Sequence, residues 1–345
     1  MIEGRRMLAL VWLALPCAVS AEVYELPPAG NDVVGAVTVI RARADDTLIE
    51  IARRHGLGYE DIVRANPDVD TWLPGENTEV VLPTRYVLPP GPRRGIILNL
   101  AEYRLYYFPQ PVGDQPAVVM TYPISIGRMD WDTPLGRTSV ISKVTDPAWY
   151  PPASVRAEHA ADGDPLPRIV PPGPNNPLGK HAMRLGLPGY LIHGTNRPAG
   201  VGMRVTHGCI RLFPEDIEFL FGQVGINTAV RIINEPVKVG WDGDELVVEV
   251  HETLAVTPPP AAELVSGIPA NEAEANAAPP EILVRDNMTA LTEQFVAATN
   301  VRRGELDWDV VELLLERADG IPAPAGRQIE DAATSAASEK VPSSL

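Results

Sequence analysis

Three side chains have the types and spacing of a covalent catalyst: His193, His207 and Cys209. A thiol attacks a carbonyl as its thiolate, and at a free pKa near ~8.5 only a few per cent is ionised at neutral pH. A nearby imidazole can take that proton and later hand it to a leaving amine. His207 stands two residues before the sulfur. On an extended strand it would share a face with Cys209, at roughly 6–7 Å between Cα atoms. His193 ends a separate apolar run, Tyr190 to His193, which can pair as a strand beside the cysteine segment. Gly194 and Gly208 leave backbone amides open to approach, as an oxyanion site requires. Nucleophilic attack on a carbonyl by the thiol is the chemistry this set supports. On the residues alone two other readings stay open. His193 can be a satisfied core histidine. The three residues can also ligate zinc, with His181 or Asp216 completing the four ligands of a structural site.

The two cysteines are Cys17 and Cys209. Cys17 lies in a segment with the three parts of an export signal: Arg5 and Arg6, the apolar run Met7 to Leu15, then the small residues Ala18 to Ala21. That run is too short to span a bilayer, and no later segment is long and apolar enough to anchor the chain. Pro16 stands where a lipidated cysteine wants a small neighbour. The sequence therefore predicts residues 1–21 as a cleaved signal peptide and a periplasmic protein. Cys209 would be its single thiol, which rules out an internal disulfide.

The elements that must position this chemistry follow from patterning. The formal net charge is -16, with 45 acidic against 29 basic residues, and such an acidic chain argues against a nucleic-acid partner. Residues 22–36 read as linker. Residues 37–88 read as a small α+β unit of strand, helix, helix and strand. There Thr47 and Glu50 form a capping box, and Leu48, Ile51 and Ala52 make one apolar helical face. Residues 94–236 read as mainly β with one or two helices, including a helix from Glu215 to Gln223. Within them, residues 146–179 hold nine prolines and three glycines, the composition of a long irregular loop of functional type. Residues 237–254 read as a β-hairpin extension turning at Asp242-Gly243. Residues 255–280 read as linker. Residues 281–330 read as a small helical region with helices at Thr289 to Ala298 and Asp307 to Ala318, and residues 331–345 as a disordered tail. From residue 252 onward the chain has 16 acidic and 6 basic residues, so most of the charge lies outside the catalytic region.

Two resemblances sharpen this reading. Asp46-Thr47-Leu48, Ile51-Ala52, Ala65-Asn66-Pro67 and Leu73-Pro74-Gly75 resemble a LysM domain, with extra residues from Asp68 to Trp72. Such a likeness implies a peptidoglycan-binding module at 37–88. The set His193-Gly194-Thr195-Asn196 and Thr206-His207-Gly208-Cys209-Ile210-Arg211 resembles the motif of L,D-transpeptidases with the YkuD (ErfK-type) domain, over about residues 94–236. The resemblance extends to the Gram-negative periplasmic subgroup. It implies a YkuD-like β-sandwich, no cofactor and no metal. Cys209 would be the nucleophile and His193 the base, while His207, Gly208, Thr195, Asn196, Thr206 and Arg211 would contribute to the substrate or oxyanion site. Arg211 would steer a carboxylate or make a structural salt bridge. The acyl donor would be a peptidoglycan tetrapeptide stem. The acceptor would be a stem diamino acid or a lipoprotein lysine. Alternatives are a hydrolase on the same fold and a non-catalytic wall-binding protein. In a Cys–His peptidase of the NlpC type the cysteine precedes the histidine, and here both histidines come first.

Overall fold

The computed structural model describes residues 22–128, 131–255 and 286–329. The signal peptide at 1–21, residues 256–280 of the second linker and the tail at 331–345 lie outside the described residues. None of the described helices is long and apolar enough to cross a membrane.

The first unit comprises β1 (Glu22–Glu25), β2 (Val33–Arg41), α1 (Leu48–Arg54), α2 (Tyr59–Arg64) and β3 (Glu79–Val87). Strands β2 and β3 pair antiparallel over their whole length, from Val33↔Val87 to Arg41↔Glu79. The capping box forms as the sequence predicts: Thr47 Oγ1 accepts from Glu50 N at 3.1 Å, and Glu50 Oε2 accepts from Thr47 N at 3.2 Å. Leu48, Ile51 and Ala52 then bury one face of α1 against Leu57, Ile62, Val80 and Leu82. Asn66 ties the end of α2 to β3, donating to Ile62 O and Val81 O and accepting from Val81 N. The linker expected at 22–36 is corrected here, since it contributes β1 and the first residues of β2.

The central region holds β4 (Gly95–Asn99), β5 (Arg104–Phe108), β6 (Val118–Pro123), β7 (Ile126–Gly127), β8 (Gly136–Thr145), α3 (Ala153–Ala161), β9 (His181–Leu185), β10 (Leu191–His193), a 3-10 turn (Pro198–Gly200), β11 (Arg204–Thr206), β12 (Ile210–Arg211), α4 (Pro214–Gln223) and β13 (Ala229–Ile233). Nine strands make one sheet in the order β1-β6-β5-β4-β13-β8-β9-β10-β12, and β7 and β11 form a separate parallel pair. One apolar cluster joins Tyr122 of β6, near one end of this sheet, to Ile210 of β12 at the other, together with Ile217 and Leu220 of α4. The sheet therefore curls around a single core. Strands β4 and β5 are buried on both faces, which is why they read as continuous apolar runs. On the second face, Ile97, Tyr106, Phe108 and Val119 meet Val34, Tyr86 and Leu88 of the first unit. Helix α3 lies inside the segment 146–179 that the sequence marks as irregular.

The last unit comprises β14 (Val237–Asp242), β15 (Glu245–Val250), α5 (Asn287–Thr299), β16 (Gly304–Leu306), α6 (Trp308–Arg317) and β17 (Ala323–Gln328). Its sheet runs β14-β15-β17-β16, and Ala290, Leu291, Val311 and Leu314 cover one face. The expected hairpin extension and helical region are thus one α+β unit. Lys238 of β14 anchors it to the curled sheet. Its ammonium lies 2.6 Å from Glu102 Oε2, 2.8 Å from Glu249 Oε1 and 3.1 Å from the Tyr106 hydroxyl.

Candidate active site

Strands β10 and β12 run parallel, with Ile192 beside Ile210 and His193 beside Arg211. Leu212 N donates to His193 O at 2.9 Å and extends the pairing. Two residues upstream of Arg211, Cys209 comes level with Leu191. The pairing of the His193 strand with the cysteine segment, expected from the sequence, is therefore present.

Residues 206–209 form the turn that presents the sulfur. Thr206 Oγ1 donates to Cys209 O at 2.6 Å, and Thr133 Oγ1 donates to Gly208 O at 2.9 Å. Gly208 has φ +90, and a Cβ there would meet Tyr190 Cε1 at 2.8 Å, so glycine is required on both conformational and packing grounds. This turn corrects one expectation: His207 and Cys209 do not share a strand face. His207 turns away and faces the irregular segment, where its Nε2 pairs with Glu158 Oε2 at 3.1 Å and its ring packs edge-on to Trp131 at 5.1 Å. Arg128 holds the other oxygen of Glu158 at 2.5 Å. Glu158 sits on α3, so the turn before Cys209 and the segment 146–179 are joined through one carboxylate.

His193 is 4% exposed, and its Nδ1 donates to the carbonyl of Gly194 at 2.6 Å. That bond assigns the proton to Nδ1 and leaves Nε2 as the basic nitrogen. Burial and the Arg211 guanidinium push the imidazole down to about 3, with the carbonyls of Gly194 and Leu178 opposing in part. His193 is thus a buried, neutral imidazole whose Nε2 carries no proton. Cys209 is half-buried, and its Sγ lies 3.6 Å from Gly189 O. Burial pushes the thiol up to about 11, against the Leu191 amide and the Arg211 guanidinium.

The other expected site residues separate into two sets. Gly208 and Arg211 stand with the sulfur and the imidazole. Thr206 closes the turn from within. Thr195 Oγ1 accepts from Arg197 N at 2.9 Å, and Asn196 Nδ2 donates to Asn175 O at 3.2 Å, so both hold the loop after β10. Arg211 is half-buried, its Nε is buried without a partner, and no carboxylate pairs with it among the described residues. The salt-bridge alternative for Arg211 is set aside accordingly. Burial and the nearby Arg197 hold its guanidinium below the usual range. Glu158, Arg128 and Trp131 have no signal in the sequence, because nothing in their spacing ties them to Cys209.

The zinc alternative does not match the geometry, since among the described residues His193, His207 and Cys209 do not bring their ligand atoms together. Among the described residues, Glu102, Glu249 and His251 do bring ligand atoms within 4.8 Å of one another. The Lys238 ammonium already bridges the two carboxylates, so the place of a cation there is taken by the protein itself.

The family model for the L,D-transpeptidase catalytic domain, YkuD, matches residues 93–232. The chain is 43% identical over 253 residues to the probable L,D-transpeptidase YcfS of Escherichia coli K12, covering 72% of this chain and 77% of that one. It is 37% identical over 310 residues to the probable L,D-transpeptidase ErfK/SrfK of Salmonella typhimurium LT2, covering 88% and 92%. The solved structure of L,D-transpeptidase 3 from Mycobacterium tuberculosis is 19% identical, covers 62% of this chain and 99% of that chain, and gives a TM-score of 0.30. With a thiol and an imidazole on adjoining strands and relatives of this identity and coverage, the chain belongs to the L,D-transpeptidase family with the YkuD catalytic domain.

Proposed function

We propose that Cys209 carries the acyl group of a peptidoglycan tetrapeptide stem between a donor and an amine acceptor. His193 Nε2 takes the proton of the Cys209 thiol as Sγ bonds to the carbonyl carbon of the diamino acid. Collapse of the tetrahedral species breaks the C–N bond, and the imidazolium returns its proton to the departing D-alanine amine. An acceptor amine then attacks the thioester, gives a proton to His193 and restores the thiol. The acceptor is a diamino acid of a second stem, giving a 3→3 cross-link, or a lysine of an outer-membrane lipoprotein. The Gly208 turn offers amides to the developing oxyanion. Arg211, a half-buried guanidinium without an acidic partner, receives a stem carboxylate. The unit at 37–88 takes up the glycan strand as a LysM-like module, and the protein works in the periplasm after loss of residues 1–21.

The observation that carries this reading is the Nδ1–H bond of His193 to Gly194 O on the strand beside the cysteine, which leaves a basic nitrogen for the thiol. The test incubates protein lacking residues 1–21 with a disaccharide-tetrapeptide and reads product masses. A cross-linked dimer is expected, and Cys209→Ala abolishes it without unfolding the protein. Loss of D-alanine alone would make the chain a hydrolase. An unchanged substrate would make it a wall-binding protein.

A further inference from the structure

The first unit does not hang from the catalytic region; it grips the segment that bears the nucleophile on both sides. Upstream of Cys209, the first two amides of α2 donate to backbone carbonyls of the approaching loop: Tyr59 N to Val201 O at 3.0 Å and Glu60 N to Gly202 O at 3.3 Å. The two backbones approach so closely that each needs a glycine. A Cβ on Gly58 would lie 2.7 Å from Gly202 Cα, and one on Gly202, at φ +87, would lie 2.5 Å from Gly58 Cα. Downstream of Cys209, Arg53 of α1 makes a two-pronged pair with Glu215 of α4, at 2.6 and 2.8 Å, and lies over the Phe213 ring at 5.4 Å. Between these points Arg104, 1% exposed in β5, pairs with Asp61 of α2 and stacks on Tyr86 of β3 at 4.4 Å. Separation would break this pair and stack and expose the apolar contact of Val34, Tyr86 and Leu88 with Ile97, Tyr106 and Phe108, so the docked arrangement is held closed.

We propose that the 37–88 unit is a positioning element of the active site. It fixes the two ends of the stretch 201–215, so that the Cys209 turn and the His193 strand keep their relative placement, and this requirement is independent of any affinity for glycan. Gly58, Gly202, Arg53 and Glu215 are the positioning residues. The inference relies on the acyl-transfer reading above for its kinetic assay alone.

The experiment uses the full chain without residues 1–21 and a tetrapeptide stem that carries no sugar, so that glycan binding contributes nothing. Gly58 has φ -89, a conformation open to any residue, so Gly58→Ala acts by wedging the close approach to Gly202, with Pro123 Cβ also at 3.2 Å. A displacement on the scale of 1 Å at the nucleophile predicts a fall in kcat of about 10- to 100-fold with KM held within about twofold. Arg53→Glu predicts a similar fall, and adding Glu215→Arg re-forms the pair and restores kcat. Alkylation of Cys209 by iodoacetamide, read by mass, is expected to quicken in both single variants as the turn loosens. A kcat within about twofold of the parent in both single variants overturns the proposal. So does a loss that the paired exchange fails to restore. A parent protein that is alkylated at Cys209 yet never turns over the stem would refute acyl transfer instead, and the alkylation rates would then decide the clamp by themselves.

Discussion

At rest Cys209 and His193 are a neutral pair, and the pH dependence of thiol reactivity tests this directly. Burial pushes Cys209 up to about 11 and His193 down to about 3, and Sγ faces Gly189 O rather than the imidazole. With that thiol, about one molecule in ten thousand is thiolate at pH 7, and the fraction rises tenfold with each pH unit. The alkylation rate of Cys209 by a small uncharged reagent is therefore expected to climb about 10³-fold from pH 7 to pH 10 without a plateau. His193→Ala leaves the shape of that curve unchanged, because the imidazole does not hold the thiol's proton before substrate binds. Stopped-time mass spectrometry of iodoacetamide-treated protein gives the rates. A curve already flat between pH 5 and pH 8 would mean a preformed thiolate–imidazolium pair and would refute the reasoning. If the neutral pair holds, the proton moves to His193 only as the donor carbonyl arrives, which keeps the thiol inert towards stray electrophiles.

Other perturbations separate the roles of individual residues. His193→Ala is expected to lower kcat by about 10²–10⁴, and His207→Gln by less than about tenfold, since His207 is engaged by Glu158 and Trp131; steady-state kinetics in the reverse order would mean that His207 is the base. Burial pushes the Asp216 carboxyl up to about 8 from its ordinary 3.8, and its Oδ2 has no partner. A raised carboxyl pKa gives stability that is complete below pH 3.8 and lost as pH rises towards 8. Asp216→Asn should therefore raise the melting temperature by a margin that widens from pH 4 to pH 8 and corresponds to a few kcal/mol (about 1.4 per unit) at the upper end; a margin constant across that window would contradict the assignment. Lys238→Met leaves Glu102 and Glu249 facing each other without the ammonium, and denaturant titration is expected to show a loss of about 3–5 kcal/mol. A loss below about 1 kcal/mol would mean that the carboxylates find another partner.

How far the sequence reveals the molecule depends on where each signal resides. The capping box at Thr47 and Glu50 is local, and the helix it predicts begins at Leu48 as expected. Helix α4, Pro214–Gln223, matches its predicted span to within one residue because Ile217 and Leu220 give it a buried apolar face. Helix α3 escapes notice because Val155 is its only buried residue and nine prolines surround it in composition. Strands β16 and β17 lack alternation; β17 is a strand because it pairs with β15, some 80 residues earlier in the chain, and β16 because it pairs with β17. The site divides in the same way. Cys209, His193 and Gly208 are legible because chemistry dictates their types. The orientation of His207 is not, because Gly208 at φ +90 bends the chain out of the extended form on which the shared face depended. Glu158 reaches His207 from 49 positions away, a distance that spacing rules do not cover.

The C-terminal sheet is assembled from pieces on either side of residues 256–285, with β17 hydrogen-bonded to β15 and the Trp241 indole donating to Ala298 O. Shortening the protein to the family core would therefore not yield a smaller enzyme of equal behaviour. Ending the polypeptide at residue 255 would strip the cover from Trp241, Leu246 and Val248 and open one side of β15 to any passing strand. Such a trimmed protein is expected to precipitate or self-associate on expression, and its inactivity would say nothing about catalysis.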